Sequence, residues 1–203
     1  MPKRYINSQQ YFEDYPDEDY QYYSLCPFLS PEKVDFALED ERPESVAPEQ
    51  HLPDYLYRWN RLKSLRYMRF YLSHIDERIK RFTFLEELDL SENRIEYIPP
   101  EIGALSHLNR LDLSGNRINE LPPDFFKLRQ LRFLYLSHNN LSVIPDAFTA
   151  LQELRVLYLD GNPIPRLPES LLSLKKLRFL CVSQSTHLPV AFFDKIKTLE
   201  IFP

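Results

Sequence analysis

The sequence predicts an α/β solenoid: a right-handed coil with parallel strands along one face and short helical or 3₁₀ return segments along the other. Three observations predict it. A leucine recurs at Leu85, Leu108, Leu131, Leu154 and Leu177, each 23 residues after the last. An asparagine holds the same spacing at Asn93, Asn116, Asn139 and Asn162, and a proline at Pro99, Pro122, Pro145 and Pro168. Within each unit, apolar residues alternate with polar ones, as in Leu88-Asp89-Leu90. That alternation is the signature of a strand with one face buried.

The physical content of one unit follows from these positions. The strand is short, and the next unit's strand lies beside it, roughly 4.8 Å away. A single unit cannot bury its leucines, but a stack of units makes one continuous core. The Ile/Leu-Pro step ends the extended segment and removes a backbone donor. The residues after it, such as Pro100-Glu101-Ile102-Gly103-Ala104-Leu105, place Ile102 and Leu105 at helical spacing. A short helix or 3₁₀ turn is expected there.

The frame divides the chain into four parts. Residues 1–30 form an arm in which Tyr5, Tyr11, Tyr15, Tyr20, Tyr22 and Tyr23 alternate with Glu13, Asp14, Asp17, Glu18 and Asp19. The arm has two readings: a mobile acidic tail, or a tyrosine-rich segment that docks on a protein surface, its own solenoid included. Residues 31–61 are an N-terminal cap. Within it Ser30-Pro31-Glu32 reads as a helix start, and Val34, Ala37 and Leu38 fall on one helical stripe, so a helix over 31–41 is expected. Leu52 to Arg61 copy the spacing of a back half-unit without its strand, with Trp59 in the slot of Leu128. Residues 62–184 are the repeats, with units starting at 62, 85, 108, 131, 154 and 177. The first is degenerate, with Phe70 in the asparagine slot, and the last carries Ser185 there. Residues 185–203 are a C-terminal cap, in which Leu188-Pro189 arrives two residues early. Ile196, Leu199 and Ile201 fit either a further strand or a closing helix.

The pattern L-x-x-L-x-L-x-x-N-x-[IL], completed by the Ile/Leu-Pro step, resembles the leucine-rich repeat family. It is similar to the intracellular class with 23-residue units, which includes Ras-suppressor-like proteins and bacterial relatives. The resemblance implies that the strands line a concave face. It also implies that Asn93, Asn116, Asn139 and Asn162 form a ladder satisfying backbone groups of neighbouring units. Its functional implication is protein–protein recognition without chemistry, in a scaffold or adaptor role. Two alternatives stay open: an inhibitor or immunity-type protein that occludes one enzyme, and a self-assembling unit that uses the N-terminal arm.

Composition narrows the function further. No run of 18 apolar residues exists, so no helical membrane span is expected. The basic start Lys3-Arg4 has no apolar stretch behind it and does not read as a secretory signal. Two cysteines, Cys26 and Cys181, and no cysteine-rich cap suggest a reducing, cytoplasmic setting. The charge is uneven: residues 1–50 carry 4 Lys/Arg against 12 Asp/Glu, and the remainder 21 against 18. An acidic arm on a mildly basic body is not the profile of a nucleic-acid binder. With 3 glycines there is no phosphate-cradling loop, and neither a C-x-x-C nor an H-x-x-x-H motif marks a metal site. No cofactor is expected.

The strand positions that do not face the core are the third, fifth and eighth of each unit. The third reads Ser64, Glu87, Arg110, Phe133, Val156, Phe179; the fifth reads Arg66, Asp89, Asp112, Tyr135, Tyr158, Cys181. The eighth reads Arg69, Glu92, Gly115, His138, Gly161, Gln184. The rows change from charged to aromatic along the solenoid. Phe133, Tyr135, His138, Val156, Tyr158 and Phe179 form the candidate partner-binding patch, with Asp89 and Asp112 beside it. His138, Asp160 and Cys181 invite a nucleophile–base reading. His138 and Cys181 sit two rungs apart, however, roughly 10 Å at strand spacing, which is beyond hydrogen-bond reach. A lone strand cysteine is more often a packed hydrophobe. The basic stretch Arg58 to Arg81 offers a complementary surface for the acidic arm.

Overall fold

The computed structural model describes residues 32–37, 51–192 and 200–202. The arm at residues 1–30, residue 31 and the 38–50 part of the N-terminal cap, and residues 193–199 and 203 lie outside them. The described strands form one open sheet of eight, all parallel and in chain order. They are β1 (Lys33–Ala37), β2 (Ser64–Met68), β3 (Glu87–Asp89), β4 (Arg110–Asp112), β5 (Phe133–Tyr135), β6 (Val156–Tyr158), β7 (Phe179–Cys181) and β8 (Glu200–Phe202). Among the described residues six 3₁₀ segments return the chain between rungs, from Asp54–Arg58 to Glu169–Ser173. Five of the six start directly after a proline as the N-cap, with ψ near 150° at Pro99, Pro122 and Pro145. Proline suits that place because no backbone donor is needed there.

The register is strict from β2 to β7. Leu65, Leu88, Leu111, Leu134, Leu157 and Leu180 stand side by side in one row. All are essentially solvent-free, as are Ile79, Ile102, Phe125, Phe148 and Leu171 on the returning side. Each such burial stabilises by roughly 1.5–3 kcal/mol, and the core is one cluster running the length of the solenoid.

Between strand and return segment the chain turns through the left-handed region. The eighth residue of five successive units has φ between 54° and 68°: Arg69, Glu92, Gly115, His138 and Gly161. This turn aims the next residue inward, and in four units that residue is asparagine. Asn139 shows the arrangement. Its Oδ1 accepts from Ile118 N (3.0 Å), and its Nδ2 donates to Leu113 O (2.9 Å), Leu136 O (3.1 Å) and Ser137 O (3.2 Å). Asn93, Asn116 and Asn162 repeat these bonds one rung apart. Phe70 cannot, so the first rung is held from its neighbour: Asn93 Oδ1 accepts from both Phe70 N and Leu72 N. Phe70 instead stacks on Tyr67, ring centroids 4.0 Å apart.

Both ends differ from a plain continuation of the repeat. The helix expected over 31–41 is a strand where it is described: Lys33–Ala37 pairs residue by residue with Ser64–Met68. Val34 occupies the leucine row and is 1% exposed. The same residues satisfy a helical stripe and a period of two. Pairing decides between them, because without β1 the edge of β2 would present unpaired N–H and C=O groups. At the other end the alternative left open resolves to a strand, β8. The final period is 21 residues, with Phe179 opposite Glu200 and Arg166 bridged to His187. Ser185, in the asparagine slot, is exposed, and Thr186 turns inward instead, its Oγ1 donating to Ile164 O (3.0 Å).

Two substitutions test this account. Asn139→Ala leaves four buried backbone groups short of a partner and should cost about 3 kcal/mol. In a thermal melt that lowers Tm by roughly 6–12 °C; a shift below about 2 °C would rule the ladder out as a main stabiliser. Gly103 lies where one 3₁₀ segment stacks on the next, and an added Cβ would stand 2.4 Å from Asp124 O. Gly103→Ala should therefore destabilise by about 1–3 kcal/mol in denaturant unfolding, although alanine is the better former of local helical structure.

Candidate functional site

The exposed face of the sheet is divided into two halves by chemistry. In the N-terminal half, facing rungs carry opposite charges 23 residues apart. Arg66 Nε donates to Asp89 Oδ2 (3.3 Å), Arg69 Nε to Glu92 Oε2 (2.8 Å), and Ser64 Oγ to Glu87 Oε2 (3.2 Å). Lys63 Nζ reaches Glu32 (3.2 Å), and Arg78 is held by Asp54 and Asp76 (both 2.8 Å). The Arg78 guanidinium holds the Asp76 carboxyl down to about 2. Four cations of the basic 58–81 stretch are thus engaged within the solenoid itself. The acidic arm proposed to meet them lies outside the described residues.

Asp89 and Asp112, two of the expected partner-binding residues, are committed to local turns. Asp89 Oδ1 accepts from Ser91 N (3.1 Å) and Ser91 Oγ (2.7 Å) while its other oxygen takes Arg66. Asp112 Oδ1 accepts from Ser114 N (3.0 Å). Burial pushes the Asp112 carboxyl up, with the neighbouring Asp89 charge adding to it.

In the C-terminal half the same rows turn aromatic. Tyr135 and Tyr158 are register neighbours, their ring centroids 5.3 Å apart and tilted by 34°. Phe133, Val156 and Phe179 form the adjacent row. Phe133, Tyr135, Val156 and Tyr158 are half-buried, and Phe179 is exposed. Arg110, absent from the sequence-derived patch, closes the near end. Its guanidinium lies 4.6 Å from the Tyr135 ring centroid and donates to Tyr135 Oη (3.2 Å). Its position in the third row, one rung before Phe133, was the signal for it. The sheet register therefore brings together the five expected aromatic and aliphatic members and adds a cation over one of them.

His138 lies at the far side of this patch. Its imidazole is largely exposed and covers Gly161, where an added Cβ would fall 2.4 Å from Nδ1. Asp160 stands between His138 and Cys181. Its Oδ2 is 3.7 Å from His138 Nε2, and its Oδ1 accepts from Ser137 Oγ (2.5 Å). Burial, then the Asp160 charge, pushes the Cys181 thiol up to about 11. At neutral pH that sulfur is a protonated thiol, the opposite of an activated nucleophile. Among the described residues no group of three or more His, Cys, Asp or Glu side chains is placed to hold a metal ion. No described helix is long and apolar enough to cross a membrane.

One row escapes a reading built on strand faces, because it precedes the strand. The second position of successive rungs reads Glu32, Lys63, Glu86, Asn109, Arg132, Arg155, Arg178. It alternates in sign at the N-terminal end and is uniformly cationic beside the aromatic patch.

The family model for the leucine-rich repeat matches residues 83–141 and 106–164. No curated protein matches the chain. Among solved structures, a leucine-rich repeat protein of Leptospira interrogans is 27% identical, with a TM-score of 0.71, covering 85% of this chain and 42% of that one. The internalin InlF of Listeria monocytogenes is 18% identical, with a TM-score of 0.61, covering 87% of this chain and 54% of that one. The functional domain of InlJ from the same organism, which includes a cysteine ladder, is 23% identical, with a TM-score of 0.62, covering 86% and 38%. At those identities the two Listeria proteins share the fold alone. The chain spans between 38% and 54% of the length of these structures. Domains of this family generally mediate protein–protein interaction and are generally non-enzymatic. The leucine-rich repeat matched over residues 83–164 and the parallel rungs stacked in register give this chain the fold of the leucine-rich repeat structures.

Proposed function

We propose that this chain is a non-catalytic recognition module, a scaffold or adaptor, that holds a protein partner on the concave face in its C-terminal half. The observation that carries the reading is the contrast between halves. The N-terminal rungs satisfy their own charges, whereas Phe133, Tyr135, Val156, Tyr158 and Phe179 offer contiguous, incompletely buried apolar area on a rigid sheet. Tyrosine gives contact area at little entropic cost, since it has two χ angles to fix. The strands beneath are held on both sides by neighbouring rungs, so the surface is pre-organised. A cytoplasmic setting belongs to the same proposal and rests on cysteine usage, 2 in 203 residues.

The test is affinity capture from the native source, comparing wild type with Tyr135→Ala/Tyr158→Ala by quantitative mass spectrometry. Both rings are half-exposed, so the double variant should melt within a few degrees of wild type. A partner retained by wild type and depleted at least tenfold by the variant is expected. Equal recovery on both would place recognition elsewhere on the molecule.

A further inference from the structure

We infer that Arg132, Arg155 and Arg178 form a docking strip for an extended acidic segment of the protein partner. The inference rests on the recognition reading above and names the chemistry of what binds. The three arginines are neighbours across successive rungs. Arg155 N donates to Arg132 O (2.9 Å) and Arg178 N to Arg155 O (2.8 Å). Their side chains therefore start roughly 4.8 Å apart. All three are exposed, and none makes a side-chain hydrogen bond or ion pair with a described residue.

Such a row is unfavourable on its own, because like charges on adjacent strands repel. The same chain avoids that arrangement elsewhere. In this very row Lys63 is paired with Glu32, and the neighbouring rows pair Arg66 with Asp89 and Arg69 with Glu92. Among the described side chains the nearby carboxylate of Glu153 is engaged by Lys176. Its pKa is lowered by the Lys176 hydrogen bond and, less strongly, by Arg132 and Arg155. Among the described side chains positive charge thus exceeds negative along this edge, and Lys175 adds to it.

The geometry selects an extended peptide. Alternate side chains of a strand lie roughly 6.6–7 Å apart on one side, while the three arginines span roughly 9.6 Å. Two carboxylates at i and i+2 fit among three guanidiniums. The residue between them points the other way, towards Phe133, Val156 and the Tyr135–Tyr158 pair. Arginine suits this role through bidentate bonding to carboxylate. A polynucleotide fits less well. The chain carries a net charge of −5, and a continuous phosphate backbone would run against Glu153 and the aspartates Asp112 and Asp160.

The test uses the full chain and a fluorescein-labelled peptide of four Glu-Tyr repeats, read by anisotropy at low salt. Wild type should bind it at least tenfold more tightly than a Gln-Tyr control peptide. Arg155→Glu/Arg178→Glu should lose that preference while melting at or near the wild-type temperature, and 0.5 M NaCl should weaken the wild-type complex. Equal affinity for both peptides, or an unchanged affinity in the charge-reversed variant, would overturn the inference. So would tighter binding of a short oligothymidylate. Carbodiimide cross-linking of the dilute chain from Glu13–Asp19 to Lys175 or Lys176 would give the strip to the chain's own arm and overturn the partner assignment. Loss of the captured partner in the tyrosine variant but not in Arg155→Glu/Arg178→Glu would leave the recognition surface standing and remove the strip from it.

Discussion

The structure depends on a buried amide that must be satisfied. A coil of short strands leaves backbone N–H and C=O groups at every rung, and a dry core offers them no water. One asparagine per rung meets this need. Its oxygen accepts an N–H from the preceding rung, and its nitrogen donates to carbonyls of the preceding rung and of its own, as at Asn116 and Asn162. The left-handed residue before it makes this possible by turning the chain inward. Glycine fills that place at Gly115 and Gly161, while Glu92 and His138 adopt it at some conformational cost.

Because the ladder fixes each rung against the next, the sheet face becomes a grid. A residue 23 positions away in sequence is a neighbour in space. Charge alternation along a row then produces pairs such as Arg66–Asp89, and repetition along a row produces a patch such as Tyr135–Tyr158. The two halves of the molecule use the one grid in opposite ways. The N-terminal half compensates its charges internally, and exposed pairs of this kind contribute little to stability. The C-terminal half concentrates aromatic area, beside a row of arginines whose side chains make no ion pair with a described residue.

The ends show where a repeat stops dictating structure. At the C-terminal end the period shortens to 21 and the asparagine is replaced by an exposed serine, yet the sheet continues through β8. Thr186 keeps one of the inward hydrogen bonds. At the N-terminal end Phe70 lacks the amide, and the aromatic stack with Tyr67 fills the space in its stead.

The sequence alone determined the solenoid, its register and the composition of each surface row, because a strict period of 23 fixes which residues become neighbours. Asn93, Asn116, Asn139 and Asn162, and the row members Phe133, Tyr135, Val156, Tyr158 and Phe179, were all legible in this way. Tertiary structure alone decided the state of Lys33–Ala37, since its residues fit a helix or a strand equally and only the open edge of β2 favours pairing. It also decided which charges are free. The carboxylate of Asp89 reads as available until Arg66 and Ser91 are found on it. Arg132, Arg155 and Arg178 read as ordinary surface residues until their backbones prove to be hydrogen-bonded rung to rung, with no ion pair from their side chains to a described residue. Periodicity specifies adjacency, but whether a side chain's charge is already answered depends on rotamer and distance, which exist only in the folded chain.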